Sequence, residues 1–281
     1  MTQRNDAIDV RPLSGALGAE VHGVDLGEDL PDATFAAVRR AFHEHGVIFF
    51  RDQALTPEQH IAFARRWGAI NVNRFFRPVD GYPMIAEVSK EPGQKENIGG
   101  GWHTDHSYDQ VPAMGSILYA HAVPDSGGDT MFASMYRVYE ALSDGLKETL
   151  AGLRAWHSSR HVFGAHRYAG DLKGRLGNPE LATQDAVHPV VITHPETGRK
   201  ALYVNPGFTV RFDGWSEAES RPLLDYLYDH AQRPEFTCRF RWRKGSVAFW
   251  DNRATWHYAL NDYHGQRRYL HRITLEGVPL S

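Results

Sequence analysis

Apolar positions change their period several times along the chain, and the changes outline its elements. In LPDATFAAVRRAFHEHG, Phe35, Val38 and Phe42 recur at helical spacing and Gly46 supplies the stop. The next residues, GVIFF, form a short unbroken apolar run, the pattern of a buried strand. TPEQHIAFARRWG opens with Thr56 as N-cap, Pro57 at the first helical position and Gln59 to complete a capping box, with Gly68 ending the helix. Upstream, IDVRPLSGALGAEVHGV reads as short strands broken by Gly15 and Gly18. Met135, Val138, Tyr139 and Leu142 line one face of a further helix, and Ser216 with Glu219 forms a second capping box ahead of another. HPVVITHPETGRKALYVN predicts a hairpin turning at Pro195 to Gly198. The end of the chain is strand-rich, running through FTCRFRWR, a Lys244-Gly245 turn, SVAFWDN and RYLHRITL.

Two stretches lack a period. Residues 69–101 end in glycines and predict a mobile loop, and the irregular pattern from about 154 to 187 predicts an insertion or lid. Lid segments are therefore expected near 69–101 and 160–187. No repeat or linker divides the sequence, so 1–281 is expected to be a single domain. Many short strands with few helices predict a mainly β fold, a sandwich or jelly-roll barrel with helices outside.

A net charge of −3 without a basic run gives no reason to expect nucleic acid or an anionic membrane as partner. The N-terminus lacks a signal-peptide core, and no apolar run approaches the roughly 20 residues that span a bilayer. With Cys238 as the one cysteine, neither an intrachain disulfide nor a thiolate metal cage can form. These features predict a reduced, cytoplasmic, soluble protein and leave homo-oligomerisation open. The 16 histidines lean towards metal or proton chemistry.

The chemistry concentrates in IGGGWHTDHSY, residues 98–108. On a strand, His103 and Asp105 project to one face with Thr104 turned away. That suits two ligands of a facial triad, in which two histidines and a carboxylate leave metal positions open for substrate and oxygen. His257, just beyond the apolar VAFW, is the candidate third ligand. His194-Pro195-Glu196 has the same ligand types and spacing, but its place in a turn predicts that those side chains splay apart. On the strand 267–274, Arg268, Leu270 and Arg272 share a face. Two guanidinium groups aimed into one interior are costly unless each meets an anion, either a ligand or an acidic side chain of the barrel.

WHTD (102–105), GGDT (127–130), WDNR (250–253), His257 and QRRYLHR (266–272) follow one another at spacings that resemble the taurine dioxygenase family of iron(II)- and 2-oxoglutarate-dependent dioxygenases, which includes phenoxyalkanoate-degrading enzymes. The likeness runs from GALGAEVHGVDL near the start to HRITLEG near the end. It implies a double-stranded β-helix (jelly-roll, cupin-like) fold. It also implies Fe(II), with 2-oxoglutarate and O2 as co-substrates and succinate and CO2 as products. By the same resemblance His103, Asp105 and His257 are the metal ligands and catalytic centre. Thr130 and Arg268 bind the distal carboxylate of 2-oxoglutarate, Trp250 stands beside the metal, and Arg272 holds the acidic group of the substrate. That substrate is implied to be a small organic anion, a sulfonate such as taurine or a carboxylate such as a phenoxyalkanoate.

Where the taurine enzymes carry a polar histidine and tyrosine at the substrate, this chain aligns Asn73 and Phe76. Their asparagine aligns with Gly99 and a serine with Val162, whereas Phe163 and Phe208 keep the aromatic character. The implied pocket is less polar than a taurine site and suits a larger, more apolar anion. Tyr108 and Phe75 are further wall candidates or core. His106 is expected to face away from the ligands, and His157, His161, His166 and His188 to be surface or supporting groups. Trp102 is expected to anchor its strand and Cys238 to pack. A metal-dependent hydrolase could use the same triad to activate water, though without need of Arg268 and Thr130. A non-catalytic jelly-roll binding module is the other alternative.

Overall fold

The computed structural model describes residues 8–165, 172 and 174–281. Strands β1 (Asp9–Pro12) and β2 (Ala19–His22) precede helix α1 (Asp32–His45). Gly46 takes the left-handed conformation at φ 70° and returns its N–H to Phe42 O, which ends α1 as the sequence predicts. β3 (Val47–Phe50) is buried throughout. In α2 (Pro57–Arg65) both halves of the Thr56–Gln59 capping box are present. The helix stops at Arg65, three residues before Gly68, as the chain turns to bring Trp67 edge-on to Phe249 at 4.6 Å.

Much of the first half of the expected mobile loop is strand. β4 (Ile70–Asn71), β5 (Pro78–Val79) and β6 (Tyr82–Lys90) fall within residues 70–90, leaving 91–101 as the longest continuous loop there. β6 owes its form to pairing: it lies antiparallel to the C-terminal strand from Arg272↔Ala86 to Arg268↔Lys90. Its polar Glu87 is used there, accepting from the Tyr269 hydroxyl at 2.9 Å. Such pairing between distant segments leaves no local period.

β7 (Gly115–Ala122) and β8 (Thr130–Ser134) lead into α3 (Met135–Glu140) and a further helix, α4 (Asp144–Ala151), each N-capped by a serine. The irregular stretch holds β9 (Arg154–Ser158), the short α5 (Arg160–Phe163) and β10 (Asp185–Pro189). The hairpin β11 (Val191–Thr193) and β12 (Lys200–Leu202) follows, then β13 (Thr209–Phe212) and α6 (Glu217–Ala231) with its Ser216–Glu219 capping box. The last strands are β14 (Thr237–Phe240), β15 (Val247–Asp251), β16 (Thr255–Ala259) and β17 (Arg268–Leu275).

The large sheet runs β1-β2-β3-β15-β7-β17-β6-β5, with β4 also on β17. Facing it is the three-stranded sheet β14-β8-β16, and β10-β9-β13 forms another. Phe49, Leu118, Phe132, Phe240, Trp250 and Leu270 fill the space between the two principal sheets. α1 and α2 cover the outer face of the large sheet through Val38, Phe42, Ile61 and Phe63. α3 and α6 belong to a second core around Leu224, Leu227 and Trp256. The result is the mainly β jelly roll with flanking helices expected from the strand pattern. Among the described residues, no helix is long and apolar enough to cross a membrane.

Candidate metal centre

The site is assembled where β16 meets the segment ahead of β7. His103 and His257 are bridged antiparallel, with His257 N–H donating to His103 O at 2.8 Å and His103 N–H to His257 O at 3.1 Å. Thr104 Oγ1 donates to Asn252 O at 2.5 Å, tying the ligand segment to the β15–β16 turn. Ligand atoms of His103, Asp105 and His257 all lie within 4.8 Å of one another. The convergence is as expected, but not its cause. His103 is an isolated bridge and Asp105 begins a turn through Tyr108, so the pair does not share the face of a regular strand. That turn gives His106 a φ of 60° and brings it to the cavity wall instead of pointing it away. Its ring is held there by Asp109 Oδ2 at 2.9 Å from Nδ1.

The donor set fits a divalent metal. His103 Nδ1 donates to Gly101 O at 2.8 Å, which turns Nε2 towards the other two side chains, 3.7 Å from Asp105 Oδ1. His257 Nε2 stands 3.9 Å from Asp105 Oδ2, and its Nδ1 is buried without a hydrogen-bond partner among the described residues. Burial, reinforced by His103, pushes the His257 imidazole well below its usual range, so it is neutral and able to ligate. Burial opposes charge on Asp105, but Arg272 and then His257 and His103 outweigh it and hold the carboxyl well below the usual range. Two imidazoles and one carboxylate, the ligand group found there among the described residues, form the set a metal with open positions requires.

Around the triad is a cavity of about 520 Å³. Arg268 and Arg272 both reach it from β17, as do Thr130 from β8 and Trp250 from β15. Arg268 is 5% exposed and donates to Gly128 O at 3.1 Å, with Nη2 3.5 Å from Thr130 Oγ1. Among the described residues no carboxylate comes within ion-pair distance of it, and burial lowers its affinity for its own proton. Arg272 differs, because it meets Asp105 Oδ2 at 3.3 Å and lies over the Phe76 ring at 4.3 Å. The acidic-partner alternative thus holds for Arg272, through the metal-ligand candidate itself, and fails for Arg268. Trp250 packs its ring 4.7 Å from that of His257.

Phe76, Phe163, Phe208, Tyr108 and Val162 line the cavity, and Phe75 stacks behind Phe163 at 4.3 Å. Asn73 is not part of the lining. Its Oδ1 accepts the N–H groups of Phe75 and Phe76, and its Nδ2 lies 3.4 Å from His106 Nε2. Gly99, at φ 76°, passes so close to His103 that a Cβ would come within 3.2 Å of the ring. Trp102 lines the cavity while packing beside Tyr258 at 5.8 Å. His157 and His188 are buried, bonded to Ser107 and to the Asp109 carbonyl, and His161 contacts Gly207 O. His166 lies outside the described residues. Cys238 is buried in the core.

Sequence reasoning missed Ser116, whose hydroxyl donates to Asp105 Oδ2 at 3.1 Å, and Trp242, whose Nε1 donates to Thr130 Oγ1 at 2.9 Å. A lone serine opening the apolar strand GSILYAHA was the available signal for the first. Trp242 gave none, since a tryptophan in a strand ordinarily packs.

His194 and Glu196 do not splay apart: Nδ1 and Oε2 are 3.5 Å apart, and with His43 they form a second convergent group. The turn folds back so that the His194 ring accepts the N–H groups of Glu196 and Thr197 at 3.3 and 3.2 Å. Its Nε2 donates to Asp251 Oδ2 at 2.9 Å, while Glu196 pairs with Arg253 at 2.8 Å. The His194 nitrogens and the Glu196 carboxylate are spent within the protein, and the network braces the turn behind the triad.

The model of the family "Taurine catabolism dioxygenase TauD, TfdA family" matches residues 9–274. The chain belongs to that family. Over 278 residues it is 37% identical to an alpha-ketoglutarate-dependent sulfate ester dioxygenase of Pseudomonas putida, covering 97% of this chain and 91% of that protein. It is 35% identical to an (S)-phenoxypropionate/alpha-ketoglutarate-dioxygenase of Sphingobium herbicidovorans, with 98% and 97% covered. A crystal structure of a taurine dioxygenase from Burkholderia xenovorans superposes with a TM-score of 0.82 at 40% identity, covering 96% of this chain and 91% of that one. The TauD/TfdA dioxygenases are oxidoreductases that use Fe(II), 2-oxoglutarate and O2.

Proposed function

We propose that this chain hydroxylates a small, largely apolar organic anion, with His103, Asp105 and His257 as the metal ligands and Arg268 as the anchor of 2-oxoglutarate. As a TauD/TfdA enzyme it consumes 2-oxoglutarate and O2 and forms succinate and CO2, one oxygen atom entering each organic product. Iron(II) bound by the triad would supply the oxidising chemistry that no side chain here possesses. Everything else falls to the protein. Arg268, buried and without an ion-pair partner among the described residues, offers its fork to the distal carboxylate of 2-oxoglutarate, and Thr130, oriented by Trp242, adds a hydroxyl. Trp250 keeps the His257 ring in place. Arg272 faces the acid group of the substrate, and Phe76, Phe163, Phe208 and Val162 take its apolar body and exclude water.

The observation that carries this reading is Arg268, because a buried guanidinium with no carboxylate of the described residues within ion-pair distance calls for an anion from outside. A hydrolase would leave that charge without a role. The wall supports an apolar substrate, with aromatic and aliphatic residues where a polar zwitterion would need donors. Sulfate esters and phenoxypropionates, named for two relatives, share this pairing of an acid group with an apolar body. Succinate formation with Fe(II), ascorbate and 2-oxoglutarate, followed over a panel of hexyl sulfate, phenoxyacetate and taurine, tests it. The expected order places hexyl sulfate or phenoxyacetate at least tenfold above taurine in kcat/KM. Preference for taurine would reverse the substrate assignment.

A further inference from the structure

Asp105 presents its two oxygens to different surroundings. Oδ1 faces His103 Nε2 at 3.7 Å. Oδ2, 3.9 Å from His257 Nε2, also accepts from Ser116 Oγ at 3.1 Å and from Arg272 Nη1 at 3.3 Å. Ser116 is fully buried on β7, opposite Thr274 of β17, and is fixed in place. Arg272 is less committed. Its Nε is buried without a partner, its one hydrogen bond among the described residues goes to Asp105, and it borders the cavity. One guanidinium therefore has two claims on it, from the carboxylate of the metal centre and from an anion entering the cavity.

We propose that Arg272 couples the acid group of the substrate to Asp105, so that metal and anionic substrate bind cooperatively through this one guanidinium while Ser116 keeps the carboxylate in place. This rests on the reading of the cavity as an organic-anion site. Without metal, the charge of Asp105 is balanced chiefly by Arg272. A divalent cation on the carboxylate takes over that balance and leaves the guanidinium free to receive an anion. In the other direction, an anion on Arg272 draws it from Oδ2 and makes the carboxylate a stronger donor to the metal. The two effects are one coupling free energy seen from two sites, and they must be equal. Ser116 carries no charge, so it holds the oxygen throughout without competing for either ion.

The experiment is an anaerobic titration with Mn(II), with 2-oxoglutarate present throughout and with or without a saturating anion: hexyl sulfate, phenoxyacetate or taurine, whichever binds. In the natural protein the anion is expected to tighten Mn(II) binding about tenfold. Arg272→Gln should bind Mn(II) alone at least as well as the natural protein, since a competing charge is gone, and the tightening should fall below about twofold. Ser116→Ala should weaken Mn(II) binding about tenfold and retain the tightening. Should Arg272→Gln not fold, Arg272→Lys, with a point charge in place of the fork, is expected to reduce the tightening to a few-fold. Undiminished tightening in the Arg272 variant, or none in the natural protein with any of the anions, overturns the proposal. If taurine is the anion that binds, the apolar-substrate assignment fails, and the coupling is still measured with taurine.

Discussion

At the scale of single residues, two groups share the same ligand chemistry and differ in what surrounds them. His103, Asp105 and His257 converge on a cavity, with Asp105 Oδ2 bonded to Ser116 and Arg272, whereas His194 and Glu196 are bonded into the fold away from it. His103→Ala, Asp105→Ala and His257→Ala are each expected to abolish turnover and to weaken metal binding severely, since few protein donors remain. His194→Ala should keep the metal and lose stability by about 1–3 kcal/mol, because Asp251 loses a buried hydrogen bond. Metal content after gel filtration and denaturant unfolding check both. The convergence of His103, Asp105 and His257 was legible in the sequence because WHTD, GGDT, WDNR, His257 and QRRYLHR, in that order, confine the choice. The role of Ser116 was not legible, since contact between the first residues of β7 and a ligand turn is a fact of tertiary packing alone.

At the scale of elements, the capping boxes and the closing Gly46 were legible because their signals are local, whereas α2 ends before Gly68. The long β6 was not legible, because its form comes from β17, far away in the chain. This correction narrows the first lid segment to residues 91–101, which border the cavity through Glu96 to Gly101. Limited proteolysis there is expected to slow at least several-fold when metal, 2-oxoglutarate and substrate are bound, and equal cleavage in both states would remove the lid. Helix α2 carries a second prediction. Burial, then His271 and His121, lowers the fully buried His60 to about 3 from an ordinary 6.5. In the fold His60 is therefore neutral between these values, while the unfolded chain takes up a proton as pH falls below about 6.5. The unfolded state binds more protons throughout that window, so stability is lost as pH falls from about 6.5 towards about 3. The slope attributable to this residue approaches roughly 1.4 kcal/mol per pH unit. Urea unfolding of the metal-free protein at pH 7, 6 and 5 should show a shallower decline for His60→Leu than for the natural chain.

At the scale of the whole molecule, two sheets bring together residues from four distant segments, and the spacing of β17 divides the work between its arginines. Arg268 and Arg272 are four positions apart on one face, about 13 Å at roughly 3.3 Å per residue. That is too far for both to grip one carboxylate and apt for two anions around one metal. The alternation on this strand made the shared face visible in the sequence. It could not reveal that Arg272 also touches Asp105, a contact made only when the jelly roll closes. The central claim is that this closed barrel binds 2-oxoglutarate through Arg268 at the triad. It is tested most directly by anaerobic calorimetric titration of the iron-loaded protein with 2-oxoglutarate. The natural chain and Arg272→Ala are expected to bind one molecule per chain with similar affinity. Arg268→Ala should bind it tens- to thousand-fold more weakly, the loss of a charge-assisted fork. Full affinity in Arg268→Ala together with loss in Arg272→Ala would contradict the account.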